Sequence, residues 1–263
     1  MVDRPQVKVT ELKRDALGAV ELLQRGQECA VRRVASGGRI PGSGWVARVL
    51  LRRERRALDA LSGLPAVPAL LTDPGLASEP STDGRAPASK SVLLRTYLMG
   101  EPLHRATRLP QDFFDHLDRL VESLHESGVC HNDLHKEQNV VVTERGWPAL
   151  IDFQLASVHH RRDSRTFRVR CAEDLRHVQK HRRRYTRDGR GPESASASHG
   201  AAYGARRSFV ARTWRRFGKP VYIALTRGIL RRRDGEERRP STGPWPAWGA
   251  PLGGPQQGPG KPD

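Results

Sequence analysis

Asp133, Asn139 and Asp152 stand close together in the chain, with His131 two positions ahead of the first. That set suits phosphoryl transfer, which asks little covalent chemistry of a protein. One carboxylate must orient an acceptor hydroxyl, and two hard oxygen donors must hold Mg2+ against the phosphates of ATP. Loops flanking a hairpin can bring the three together, and the His131 ring is expected to pack beneath its loop and hold it by hydrogen bonding. Other chemistries find less support. His125, Cys130, His131 and His135 fit no strong zinc spacing. Cys29, Cys130 and Cys171 are odd in number and widely spaced, making neither a disulfide framework nor a Cys-x-x-Cys knuckle. Gly37 and Gly42 are spaced as in a Walker A loop, but Ser43 stands where that loop needs lysine.

The apolar pattern locates the elements that must position these groups. Alternation predicts a meander of strands over 7–9, 19–23 and 29–34, then a Ser/Gly loop over 36–44. Val46, Leu50, Ala57 and Leu61 recur at helical spacing and predict a helix over 45–61, stopped by Gly63 and Pro65. A short strand over 67–71, a polar surface loop over 74–90 and a buried strand over 91–98 follow. Phe113, Leu117, Leu120, Val121 and Leu124 mark one face of a second helix that Gly128 ends. Strands over 140–143 and 149–153, joined by a turn at 144–148, form the hairpin that Asn139 and Asp152 flank. Helices are expected over 173–185 and 209–230, the second broken at Gly218 and Pro220, with a Ser/Ala/Gly-rich stretch at 191–204 between them. Residues 240–263 read as a disordered Pro/Gly tail. Strands first and helices after, around one hairpin, predict an α+β fold.

The run HNDLHKEQN resembles the catalytic loop H-x-D-L-x-x-x-N of the protein-kinase-like superfamily with one residue added, and Ile151-Asp152-Phe153 resembles its metal-binding D-F-G. Within that superfamily the chain is most similar to atypical bacterial RIO-like and lipopolysaccharide-core kinases. The resemblance implies a two-lobed kinase-like fold with a small helical C-lobe: an N-lobe over 7–98, then a C-lobe over 99–239. It implies that Asp133 is the base, that His131 supports it, and that Asn139 and Asp152 bind the metal. The strand Cys29-Ala30-Val31-Arg32 resembles V-A-I-K, which puts Arg32 at the phosphate-binding lysine, or Arg33 if the register slips by one. Glu54 becomes its ion-pair partner. Glu54 also has independent support, as the one acid among Arg52, Arg53, Arg55 and Arg56, on the stripe between Leu50 and Ala57. An inward carboxylate needs a buried cation. The hinge over 97–100, Leu98 included, meets adenine through backbone groups, and Gly18 serves a reduced phosphate loop.

Departures from the pattern have consequences. Asn139 follows Asp133 by one residue more than usual, which leaves Gln138 as an alternative oxygen donor. Gln154 replaces the glycine of D-F-G and removes an easy positive φ. No G-x-G-x-x-G precedes the strand and no A-P-E follows Asp152, so the usual peptide-binding segment is missing. The acceptor stays open between a protein Ser/Thr, as in RIO-like serine/threonine-protein kinases, and a lipopolysaccharide-type sugar, with a lean toward the second.

The chain carries 46 Lys and Arg against 29 Asp and Glu, a net charge of +17, and the excess is local. Residues 159–190 hold 12 basic and 4 acidic side chains, residues 205–239 hold 12 and 3, and the remainder is neutral. Basic segments beside a neutral body read as a contact surface for an anionic partner. They support an alternative, a catalytically degenerate kinase fold that docks RNA, a ribosome or an acidic membrane surface. No apolar run approaches the ~20 residues of a bilayer span, and the first residues lack the apolar core of a signal peptide. The expected location is the cytoplasm, with peripheral contact at the inner membrane face as an option.

Overall fold

Three strands, β1 (Lys8–Asp15), β2 (Gly18–Arg25) and β3 (Glu28–Ala35), form the expected meander. β4 (Val92–Thr96) pairs with β3 to complete an antiparallel sheet ordered β1-β2-β3-β4. The computed structural model describes residues 6–37 and 41–186. The helix expected over 209–230, the stretch 191–204, the tail 240–263, the basic segment 205–239 and the end of the first basic segment lie outside the described residues.

The pleat sorts β3 and β4 by face. Val31, Arg33 and Ala35, with Leu93 and Arg95, face helix α1 (Ser43–Ala60). Ala30, Arg32 and Leu94 face the opposite side, where the short helix α2 (Pro74–Ser78) lies. Helix α2 falls within the stretch read as a plain loop. Its start has a clear chemical signal: the Asp73 carboxylate accepts from the Leu76 amide at 3.0 Å, and Pro74 occupies the first turn, where its missing N–H matters least. The strand expected over 67–71 is only a single bridge between Leu70 and Arg95. Pro65 and Pro68 lack the amides that a longer ladder would use.

Helix α1 begins two residues before its expected start. Its later turns bury Glu54, Ala57 and Leu61 as expected, while in its first turns Ala47 and Leu51 are buried in place of Val46 and Leu50, a shift of one residue along the stripe, or about 100° around the helix. The chain then runs through β5 (Gly100–Pro102) into α3 (Phe113–Glu126), whose buried Phe113, Leu117, Leu120, Val121 and Leu124 are those expected. Past α3 come β6 (Val129–Cys130), the hairpin β7 (Val140–Thr143) and β8 (Pro148–Leu150), then β9 (Ser157–Val158) and α4 (Arg165–Tyr185). The second hairpin strand stops at Leu150. Asp152 has φ 65°, which ends the extended run, and Phe153–Leu155 forms a 3-10 turn. Helix α4, expected over 173–185, starts eight residues earlier at Arg165, where the Ser164 hydroxyl caps it; the arginine-rich first turns mask in sequence the buried stripe of Phe167, Asp174, Val178, His181 and Tyr185.

One continuous core runs from Ala47, Leu51 and Leu58 of α1 through Phe113 and Leu117 of α3 to Leu150, Val178 and Tyr185. A smaller cluster of Leu23, Ala30, Leu76 and Leu94 packs on the other face of the sheet. The fold is a mixed α+β arrangement of antiparallel sheets with four helices among the described residues. No helix among the described residues is long and apolar enough to cross a membrane.

Candidate active site

The loop after α3 is built on tight turns. Gly128 has φ 75°, and a Cβ there would lie 2.6 Å from the His159 carbonyl oxygen, so only glycine fits where the chain turns out of the helix. The next strand, β6, pairs with β9 and delivers His131, Asn132 and Asp133 in sequence. His131 is fully buried against Phe153, with ring centroids 4.7 Å apart, and its Nε2–H donates to the Ile151 carbonyl at 3.0 Å. One imidazole thus ties the loop to the stretch that carries Asp152.

Asp133 is buried, and its two oxygens have different company. Oδ2 accepts from the Asn139 side-chain amide at 3.0 Å and lies 3.3 Å from the Lys136 ammonium, while Oδ1 lies 3.1 Å from His135 Nδ1. Burial alone would raise the Asp133 pKa. The His135 ring beside Oδ1 and the Lys136 charge outweigh it and hold the carboxyl below its ordinary 3.8. The added loop residue is absorbed by a 3-10 turn over Glu137–Asn139, which swings the buried Asn139 back onto Asp133. The Asn139 carbonyl then accepts from the Ile151 amide at 3.0 Å, so the hairpin fixes Asn139 beside the approach to Asp152.

Asp152 keeps 30% of its side chain exposed, and Gln154 Nε2 donates to its Oδ1 at 2.7 Å. The glutamine that replaces glycine in the motif folds back onto the motif's own carboxylate. Burial pushes the Asp152 pKa up. The Arg33 charge, the Gln154 hydrogen bond and the charges of Arg95 and Lys136 prevail and hold it below 3.8. The charge of Asp152 in turn acts on Asp133, and the charge of Lys136, 3.3 Å from Asp133, acts on both carboxyls. A left-handed Asp is strained for a residue with a Cβ, and such strain concentrates at functional sites.

The cation expected at position 32 is elsewhere. Arg32 is fully buried on the α2 face, paired with Glu21 directly across the sheet at 2.7 Å and bonded to the carbonyls of Leu76, Ala77 and Glu79. It does not meet Glu54. Arg33 does, at 3.4 Å, and reaches toward Asp152 at 4.0 Å. The reason is the strand's period of two. Arg33 shares its face with the core-facing Val31 and Ala35, and matching the strand to V-A-I-K misplaces that face by one residue. Glu54 is buried as expected, and a second guanidinium, Arg95 of β4, lies 2.9 Å from its other oxygen.

Gly18 closes the β1–β2 turn with φ 140°, and a Cβ would fall 1.9 Å from the Val34 carbonyl oxygen, so no other residue fits. The turn folds over the end of β3 through a Ser36 amide to Leu17 carbonyl bond of 3.2 Å. Asp15, Gly18, Arg33, Ala47 and Gln154 line a small concavity, and two of them, Arg33 and Gln154, also reach Asp152. Leu98 is half-buried, and the groove beside 97–101 is lined by Tyr97, Met99, Glu101 and Val142 rather than by Leu98.

Residues outside the motif complete the loop. Asp174 of α4 accepts from the backbone amides of His131 at 2.8 Å and Asn132 at 2.9 Å, and it also bonds His125 Nε2 at 3.3 Å. Asn132, itself left-handed at φ 63°, donates from its side-chain amide to the carbonyls of Cys130 and Leu155 and to the Ser157 hydroxyl. Asp174 had a signal of the kind that picks out Glu54: it is the acid on the buried stripe of an arginine-rich helix.

The donor set suits a hard cation and phosphate. Asp152 and Asn139 offer oxygen atoms of the kind Mg2+ prefers, and buried Arg33 Nε and Asp133 Oδ1 have no well-aligned hydrogen-bond partner within the protein. The model of the phosphotransferase enzyme family (APH), of the protein-kinase-like superfamily, matches residues 55–162. That stretch takes in α3, the His131–Asn139 loop and Asp152, and stops short of the first three strands. It is similar to enzymes that transfer phosphoryl groups. No curated protein matches the chain.

Proposed function

We propose that the chain is a Mg2+- and ATP-dependent phosphotransferase acting on a hydroxyl acceptor, built as a two-lobed kinase-like fold with lobes over 7–98 and 99–239. The observation that carries this reading is that Asn139 and Lys136 both contact Asp133, while the Asn139 carbonyl is tied to Ile151, next to Asp152, which Arg33 approaches. Asp133, ionised at neutral pH, orients the acceptor hydroxyl and accepts its proton. Asn139 and Asp152 hold Mg2+, which when bound neutralises charge on the phosphates. Arg33, kept in place by Glu54, gives the phosphates a guanidinium, and the Gly18 turn covers them. The backbone over 97–100 receives the adenine.

The acceptor in this reading is a small polyhydroxyl compound, of which a lipopolysaccharide-type sugar is one example. Residues 153–164 pass from Asp152 through a 3-10 turn and β9 into α4, which leaves little chain for a peptide platform. Purified protein with MgATP is expected to hydrolyse ATP slowly and to phosphorylate sugars in a panel that also holds protein Ser/Thr substrates. Asp133→Ala and Asp152→Ala should each lower turnover by at least ~10^3-fold, in line with losing a general base or a metal ligand. Absence of MgATP binding in the wild type, read as no thermal shift at millimolar nucleotide, sinks the proposal. Transfer to protein Ser/Thr alone overturns the acceptor class and leaves the reaction standing.

A further inference from the structure

Where α3, β6 and α4 meet lies a cluster that the phosphotransfer reading does not use. His125 at the end of α3, Cys130 of β6 and Cys171 of α4 converge with their ligand atoms within 4.8 Å of one another. The two sulfurs are 3.7 Å apart, Cys130 is fully buried and Cys171 half-buried. Asp174, one helical turn beyond Cys171, bonds His125 Nε2. A thiol beside an imidazole, with the imidazole oriented by a carboxylate, is the arrangement that favours a thiolate, and a second thiol stands in contact with it.

We propose that Cys171 and Cys130 are a redox-active pair, in which peroxide oxidises Cys171 and Cys130 resolves it to a disulfide. The surrounding charges support this division of labour. Contact with Cys130 and with the His125 imidazolium lowers the Cys171 pKa well below its ordinary value, despite partial burial. His125 resists its own desolvation through Asp174 and Cys171 and is raised to about 9. Cys130 is pushed the other way, by its neighbouring sulfur and by burial, and remains a thiol, with Arg170 opposing only weakly. The groups facing the pair are thus His125 from α3 and Asp174 with Arg170 from α4.

The chemistry balances with hydrogen peroxide as oxidant. The Cys171 thiolate attacks one peroxide oxygen, an S–O bond forms and the O–O bond breaks. The departing hydroxide takes the His125 proton and leaves as water. The Cys130 sulfur then attacks the Cys171 sulfur, and the S–O bond breaks. That hydroxide takes the Cys130 proton and leaves as a second water. The sulfurs must close by about 1.7 Å to reach disulfide length. Because Cys130 directly precedes His131, and Asp174 on α4 already holds the His131 and Asn132 amides, the bond clamps the base of the Asp133 loop to α4. Only this consequence for the loop bears on the phosphotransferase reading; the bond itself does not depend on it.

Cys29 is a built-in control, since it is partly buried like Cys171 but, among the described residues, its sulfur meets the Gln24 side-chain amide rather than an imidazole. Reactivity then compares two partly buried thiols that differ in their chemical surroundings. Reduced full-length protein treated with one equivalent of hydrogen peroxide is expected to lose about 2 Da, with the 130–171 link found in peptides and Cys29 untouched. Cys130→Ser should instead hold a sulfenic acid on Cys171 that dimedone traps, and Cys171→Ser should give neither product. Iodoacetamide at pH 7 should label Cys171 roughly tenfold faster than Cys29, and His125→Gln should remove the difference. Amide exchange over 130–134 should slow in the oxidised protein. Equal labelling of Cys29 and Cys171 overturns the proposal. So does protein that carries one equivalent of zinc as purified and loses it in Cys171→Ser, since the cluster is then a metal centre. None of these readouts uses turnover, so they stand or fall apart from the phosphotransferase reading.

Discussion

The two faces of the β2-β3-β4 sheet each bury an arginine against a glutamate, and the two pairs differ in kind. On the α2 face Arg32 is saturated: Glu21 takes its Nε and Nη2, three carbonyls take its Nη1, and none of its side chain is exposed. On the α1 face Arg33 retains 16% exposure, meets Glu54 at a loose 3.4 Å and leaves its Nε without an aligned acceptor. Glu54 does not depend on it, because Arg95 holds the other oxygen. Adjacent residues of one type thus carry different loads. A guanidinium whose hydrogen bonds are all made within the protein is part of the architecture. One with donors to spare beside Asp152 is ready for an anion.

The largest expected effect is on the saturated pair. Arg32→Met leaves the Glu21 carboxylate buried without its cation, and should lower the unfolding free energy by about 3–5 kcal/mol, read as a lower urea midpoint at constant m. The paired change Glu21→Leu with Arg32→Met should recover most of that loss, since a matched apolar pair strands no charge. If Arg32→Met unfolds within about 1 kcal/mol of the wild type, the contrast between the faces is wrong.

Arg33→Met should do the reverse. Arg95 still neutralises Glu54, so the melting transition should stay within about 1 kcal/mol of the wild type. Turnover with MgATP should fall roughly 10–100-fold, as expected for one charged phosphate contact, and Arg33→Lys should restore part of it. A loss of stability equal to that of Arg32→Met would mean that Arg33 is also architecture.

This contrast also marks what the sequence makes legible. The positions of Asp133, Asn139 and Asp152 are legible because they sit in a contiguous loop and hairpin, where spacing is nearly geometry. Helix α3 is visible because its apolar stripe is clean. The choice between Arg32 and Arg33 is a question of strand register, which one residue inverts, and a pattern matched end to end cannot see which face a helix will cover. Asp174, Asn132 and Arg95 are harder still, because they act across 23 to 43 residues of chain, and Gln154 looks like the loss of a glycine until its amide is seen on Asp152. Burial logic reaches some of these. An acid on the buried stripe of an arginine-rich helix identifies both Glu54 and Asp174.

The pH dependence should follow from the two depressed carboxyls. For Asp133 and Asp152 the folded pKa lies below the ordinary 3.8. Each therefore contributes stability that is fully present above the unfolded value and is lost as pH falls through the folded one. The acid limb of activity should lie below that ordinary value, checked by a pH–rate profile under saturating MgATP.

The smallest effect expected separates the contributions to Asp152. After burial, which acts in the opposite sense, Arg33 is the leading influence on its pKa, and Gln154 comes next. Gln154→Ala removes one charge-assisted hydrogen bond and no charge, so it should move the Asp152 titration upward, in the same direction as Arg33→Met but less far. Carbon-detected NMR titration of the Asp152 carboxyl in the three proteins checks the order. A larger shift in Gln154→Ala than in Arg33→Met would show that the glutamine, and not the half-free arginine, sets the charge state of Asp152. The unsaturated pair on the α1 face would then lose the electrostatic role that distinguishes it from the saturated one.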